Sequence, residues 1–157
     1  MWKKKLLVVA TVLVYTALSA FPLLFSSNAQ ASFYRRSSLI TSSLAIIRNN
    51  PLFGVGPAGI SILIDRYTPN TFKDLRFTQP VHNVLLLIFA ENGMIAGILF
   101  VVFLGLVFKK QFNYSYFSLL LVSLCQVVLL GSLDHYIWTI GQTSLLFWIL
   151  VGLALER

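Results

Sequence analysis

The chain has 157 residues, of which 57% are hydrophobic, and a mean hydropathy of +0.82. That is more apolar side chain than a soluble domain of this length can hide, so the chain belongs in a membrane. The single cysteine, Cys125, excludes an intrachain disulfide. The net charge of +7 is divided among loops with no aromatic-rich polar face, which excludes nucleic acid as a partner and points to topology, anionic lipid or an anionic substrate.

Trp2-Lys3-Lys4-Lys5 precedes an apolar run over residues 6–25, long enough to cross a bilayer. Ala29-Gln30-Ala31 before Ser32 resembles a signal-peptidase site, so residues 1–31 read either as a retained helix or as a cleaved signal. Residues 26–83 form a long polar segment. Within it Leu39, Ile40, Leu44 and Ile47 recur at helical spacing, predicting an amphipathic helix over 37–48 that lies along the membrane surface. Asn49-Asn50-Pro51 should end it. A glycine turn follows over 52–59, and Pro57 can open a short helix reaching about Tyr67, with polar loop from Thr68 to Gln79.

Further spans are expected over 84–108, 117–133 and 138–155, with Asp134-His135-Tyr136 as the turn between the last two. The predicted fold is therefore all-α: one polytopic membrane domain over 1–157, with four transmembrane spans and one large loop over 26–83. Three lysines at the start, Lys109-Lys110 and Arg157 then share a side, which places both termini in the cytoplasm and the loop outside. That loop also carries Arg35, Arg36, Arg48, Arg66, Lys73 and Arg76. A segment of this length crosses regardless of charge. Its guanidinium groups suit an anionic substrate such as a phosphate ester, which Arg grips bidentately.

The sharpest candidate lies at Gln79-Pro80-Val81-His82-Asn83, just before the second span. A proline sits where a helix can begin, and the positive helix end favours a neutral imidazole at His82, able to accept a proton. His82 can equally be an interfacial or capping residue, and Asn83 either orients a ring or substrate or caps the helix. Gly93 and Gly97 form a GxxxG pattern that would lie on the His82 side of a straight helix and admit a second helix. Glu91 would fall on the opposite face, in a structural role. Gly54-Val55-Gly56-Pro57-Ala58-Gly59 fits G-x-G-x-x-G, but no strand precedes it, which excludes a dinucleotide fold. Gly54 and Gly56 then make either a backbone nest for phosphate or a plain turn. Asp134-His135 sits on the same side as His82, as an addition to a polar site or as a simple turn.

These residues resemble a known family. Arg36, Ile40, Asn50-Pro51-Leu52-Phe53-Gly54-Val55-Gly56-Pro57, His82-Asn83, Leu86, Glu91, Gly93 and Gly97 follow in order the pattern of the C-terminal half of O-antigen ligase and polymerase-like membrane proteins. The likeness covers roughly 35–108, with Ile40 where the family usually has tryptophan. It implies a metal-independent, inverting C-type glycosyltransferase without cofactor. Such enzymes move a glycan from an undecaprenyl-diphosphate-linked donor to a sugar hydroxyl, on a glycan or lipid-linked acceptor, at the outer face of the bacterial plasma membrane. By position, His82 is implied as general base or acceptor-orienting group, and Arg36 as the holder of the diphosphate leaving group. Arg35, Arg48, Arg66, Asn83, Gly54 and Gly56 are the candidate substrate contacts.

Relatives carry ten or more spans and a further functional arginine upstream, so this chain is expected to be a fragment, a split half or a reduced form. Its N-terminal half would then lie on another chain. Two other readings use the same residues. A small non-enzymatic membrane protein would bind anionic lipid or a partner subunit through the basic loop. A transporter fragment would need polar groups near the midplane, for which only Glu91, Gln126 and Gln142 stand.

Overall fold

The structure, a computed structural model, describes residues 10, 14, 15, 17, 18, 29–68, 79–112 and 119–156. The span expected over 6–25, apart from five single helical residues, lies outside the described residues, as do Lys73 and Arg76. Among the described residues all regular structure is helical: α1 (Ala29–Asn49), α2 (Gly59–Tyr67), α3 (Val84–Phe112), α4 (Leu119–Leu133), α5 (Tyr136–Thr139) and α6 (Gly141–Glu156). The all-α expectation holds. One helix, Val84–Gln111, is long and apolar enough to cross a membrane, and Leu120–Leu133 and Gly141–Glu156 are shorter apolar helices.

α1 contains neither glycine nor proline and stops one residue short of Pro51, whose ring disfavours helical backbone before it. The helix is longer than its predicted apolar repeat, and its buried face is rotated from that repeat, keeping Leu39 and, at the edge, Ile47. Ser38, Leu39, Ser42, Ser43 and Ile46 are buried, whereas Ile40 and Leu44 are exposed. Small hydroxyls on that face let α2 and α3 come close; two of the three have partners, while Ser38 Oγ has none among the described residues. Ser43 Oγ donates to the Leu39 carbonyl at 2.6 Å, and Ser42 Oγ lies 3.3 Å from Thr68 Oγ1.

α3 departs most from expectation. It begins at Val84, with Asn83 rather than Pro80 at its start: Asn83 Oδ1 accepts from Leu86 N–H at 2.9 Å, an N-cap geometry. It then breaks at Gly93, where φ is 80° and ψ 177°. In a regular helix Met94 N–H would bond the Ala90 carbonyl. Here it donates to the Pro51 carbonyl at 2.7 Å, while Val55 N–H takes Ala90 O at 3.0 Å and Gly56 N–H takes Glu91 O at 2.8 Å. The glycine turn is thus docked onto the broken helix by exchanged hydrogen bonds.

A Cβ on Gly93 would stand 2.1 Å from Leu52 O, and one on Gly97 2.4 Å from the Phe89 ring. The glycine pair therefore admits a loop and a ring of its own helix, not a second helix. Residues 89 and 97 would be about 12 Å apart along a straight helix, so α3 bends sharply. The ~19 residues from Met94 onward rise ~28 Å, close to the hydrocarbon thickness of a bilayer.

Two cores result. One gathers Leu39, Ile46, Ile60, Ile64, Val81, Leu87 and Ala90 from α1, α2, the turn before α3 and the first part of α3. The other gathers Val107, Leu124, Phe147, Val151 and Ala154 from the second part of α3, α4 and α6. At the far end of this bundle Gln111 Nε2 donates to the Ala154 carbonyl at 2.7 Å and Lys110 Nζ to that of Leu155. These contacts satisfy the last carbonyls of α6.

Candidate functional site

Val81, His82 and Asn83 make a tight turn into α3, closed by Asn83 N–H donating to the Val81 carbonyl at 2.8 Å. Val81 is fully buried in the first core, which anchors the turn and leaves the His82 side chain at the surface of the fold. Asn83 Nδ2 donates to the Ser132 carbonyl at 3.0 Å, pinning the start of α3 to the end of α4. That contact brings together groups 52 residues apart: His82 Nδ1 lies 3.2 Å from Asp134 Oδ1. Asp134 Oδ1 also accepts His135 N–H at 2.7 Å, so the carboxylate is held from both sides.

The imidazole–carboxylate pair has a clear chemical reading. With the proton on Nδ1 and donated to Asp134, Nε2 of His82 keeps its lone pair and can accept a proton. The side chains of His82 and Asp134 are 17% and 28% exposed, enough to be reached and covered enough to fix the ring. His135 packs against this pair, its ring centroid 5.2 Å from that of His82. Burial lowers the His135 pKa from its ordinary value against the pull of Asp134, and His82 adds to the lowering. His82, Asp134 and His135 each place a donor atom within 4.8 Å of the others, the one cluster among the described residues able to hold a metal ion.

Arg36 joins the same place. Its Nη1 donates to the Leu133 carbonyl at 2.9 Å, one residue from Asp134, and a guanidinium has further donors to offer. It also sits at the negative end of α4. Arg35 is beside it and exposed. Arg48 lies twelve residues further along α1, ~18 Å by helical rise, so the structure does not bring it to this site. α2 runs back toward it, since Thr68 reaches Ser42, and leaves Arg66 exposed in its last turn. Gly54 and Gly56 are distant, at the α3 break, and their N–H groups donate to the Asn50 and Glu91 carbonyls. Glu91 is buried, and its carboxylate accepts N–H groups of Ala58 and Ile60 at the start of α2, a charge–dipole contact that fits a structural role.

Sequence reasoning gave little weight to Asp134 and none to its pairing with His82. A usable signal was present: Asp134 is the only acidic residue between Glu91 and Glu156. A lone carboxylate set between apolar helices needs a partner.

Residues 1–101 match a family model described as O-antigen ligase. No curated protein and no solved structure gives a match. The matched part contains Arg36, the glycine turn, His82 and Asn83. Asp134 and His135 lie beyond it.

Proposed function

Because the chain belongs to the O-antigen ligase family, we propose that it moves a glycan from an undecaprenyl-diphosphate-type carrier to a sugar hydroxyl at the outer face of the plasma membrane. The family implies glycan transfer of the ligase or polymerase kind, and the observation that carries the finer reading is the 3.2 Å contact between His82 Nδ1 and Asp134. In this mechanism Nε2 of His82 takes the proton of the acceptor hydroxyl as its oxygen bonds to the anomeric carbon. The bond from that carbon to the diphosphate oxygen breaks on the opposite face, and the electron pair leaves with the lipid diphosphate. Asp134 keeps the imidazole in the accepting tautomer and balances the charge it acquires. Arg36, aided by Arg35, receives the negative charge of the departing diphosphate. Arg66 offers a further cation to the glycan or lipid headgroup.

This mechanism needs the His82 end of the helices on the extracytoplasmic side, with both termini in the cytoplasm. The test is complementation of a strain lacking its own ligase or polymerase. His82→Ala and Arg36→Ala should each abolish surface polysaccharide at unchanged protein level. Full glycan from both variants overturns the catalytic assignment and leaves a protein that binds anionic lipid or a partner subunit.

A further inference from the structure

We propose that His82, Asp134 and His135 form a binding site for a zinc-class divalent cation. Both histidines of the chain and its isolated carboxylate meet here, which is a nitrogen-and-oxygen donor set of the kind zinc takes and magnesium or calcium do not. The neutral tautomer of His135 is set from outside the cluster. Its Nδ1–H donates to Thr139 Oγ1 at 2.7 Å, and that hydroxyl donates in turn to the His135 carbonyl at 3.2 Å. In the neutral ring Nε2 therefore carries the lone pair, and the Nδ1 contact is the outer-shell bond that metal-ligating histidines commonly make.

His135 is 7% exposed, and its Nε2 has no hydrogen-bond partner among the described residues. It faces Asp134 Oδ1 at 3.8 Å. Two electron-pair donors held this close, one of them on a buried ring, repel unless a positive charge lies between them. A proton on His135 Nε2 would serve only its contact with Asp134. A divalent cation serves all three residues at once. Bonds of ~2.0–2.2 Å at tetrahedral angles set donors roughly 3.3 Å apart. The 3.2 Å pair already meets that spacing, and the widest pair, within 4.8 Å, closes by side-chain rotation. Water or substrate would take the fourth position.

The site has a consequence for the proposed transfer, and that consequence alone rests on the proposed function. When Nδ1 of His82 is bound to metal, the ring proton sits on Nε2, and the acceptor hydroxyl has no base. Metal binding and base catalysis exclude one another.

The test is a Co2+ titration of the full chain in detergent micelles, read by visible ligand-field absorption. Wild type is expected to bind about one equivalent with the strong bands of tetrahedral nitrogen and oxygen coordination, displaced by Zn2+. His135→Ala and Asp134→Asn should each weaken binding by more than about tenfold, and Thr139→Val by about tenfold or more, with unchanged helical circular dichroism. No bands in wild type, or equal affinity in the folded variants, overturns the site. If Co2+ binds as expected and saturating Zn2+ leaves glycan transfer unchanged, the metal site stands and the base role of His82 falls.

Discussion

Around Phe147 the helices of this protein meet as apolar surfaces; around His82 they are tied together atom by atom. The Phe147 core buries Val107, Leu124, Val151 and Ala154, with Phe100, Phe103 and Phe108 packed against it. Its polar ties lie at the end, where Lys110 and Gln111 close α6. The His82 region is held by an N-cap, a side-chain clasp on Ser132 and an arginine on the Leu133 carbonyl, and the first core behind it by a loop exchanged into a broken helix. Apolar packing tolerates small shifts and gives little orientation. Polar ties fix orientation within tenths of an ångström, and a base and its carboxylate need that precision. The proposed chemistry therefore falls at the polar end, with the apolar end as its support.

The two regions should respond differently to mutation. The largest effect is expected at Gly93, where alanine meets Leu52 O at 2.1 Å and an unfavourable φ together. Gly93→Ala should cost more than ~3 kcal/mol and abolish a folded product in detergent thermal denaturation. A melting temperature near wild type would show that the loop is not docked as described. Next comes Phe147→Ala, a cavity in the apolar core worth ~3–5 kcal/mol, which should lower the melting temperature while leaving Co2+ binding and the His82 site intact. Loss of both would mean the regions are not separable.

Asn83→Ala removes a cap and the Ser132 clasp for ~1–2 kcal/mol. It should reduce glycan transfer far more than its stability loss accounts for, because it frees the turn that carries His82. An activity loss no larger than the loss of folded protein would reduce Asn83 to a cap. The smallest effect is expected at Gly105, which has open space around it. Gly105→Ala should be neutral or stabilising by up to ~1 kcal/mol, and a marked loss would place an unseen neighbour on that face.

Local helix boundaries were legible in the sequence. The stop at Asn49-Asn50-Pro51, the short helix to Tyr67 and the end of α4 at Leu133 follow from breakers and apolar runs, and the structure has them there. His82 and Arg36 emerged from charge placement and family resemblance, and the fold brings both to the end of α4. Gly93 was read as a packing face because a glycine within an apolar helical pattern looks the same whether a helix or a loop approaches it. The Gly93 backbone angles and the carbonyls of Ala90 and Glu91, taken by Val55 and Gly56, show that the helix is broken. The Ser-rich buried face of α1 was missed for a related reason: hydrophobic periodicity favours Ile40 and Leu44, while close helix approach favours serine. Asp134 escaped because a pairing across 52 residues leaves no periodic trace.

The proposed base role of His82 depends on the carboxylate behind it. Asp134→Asn keeps the size of the side chain and can still accept from His135 N–H, but loses the charge that sets the tautomer of His82. The most direct measurement is the rate of glycan transfer by membranes carrying this variant at wild-type protein level. A fall of about 10²–10⁴-fold, with Co2+-free preparations used throughout, is the predicted result. A rate within about twofold of wild type would contradict it, since the loss of a base dyad cannot leave so little trace.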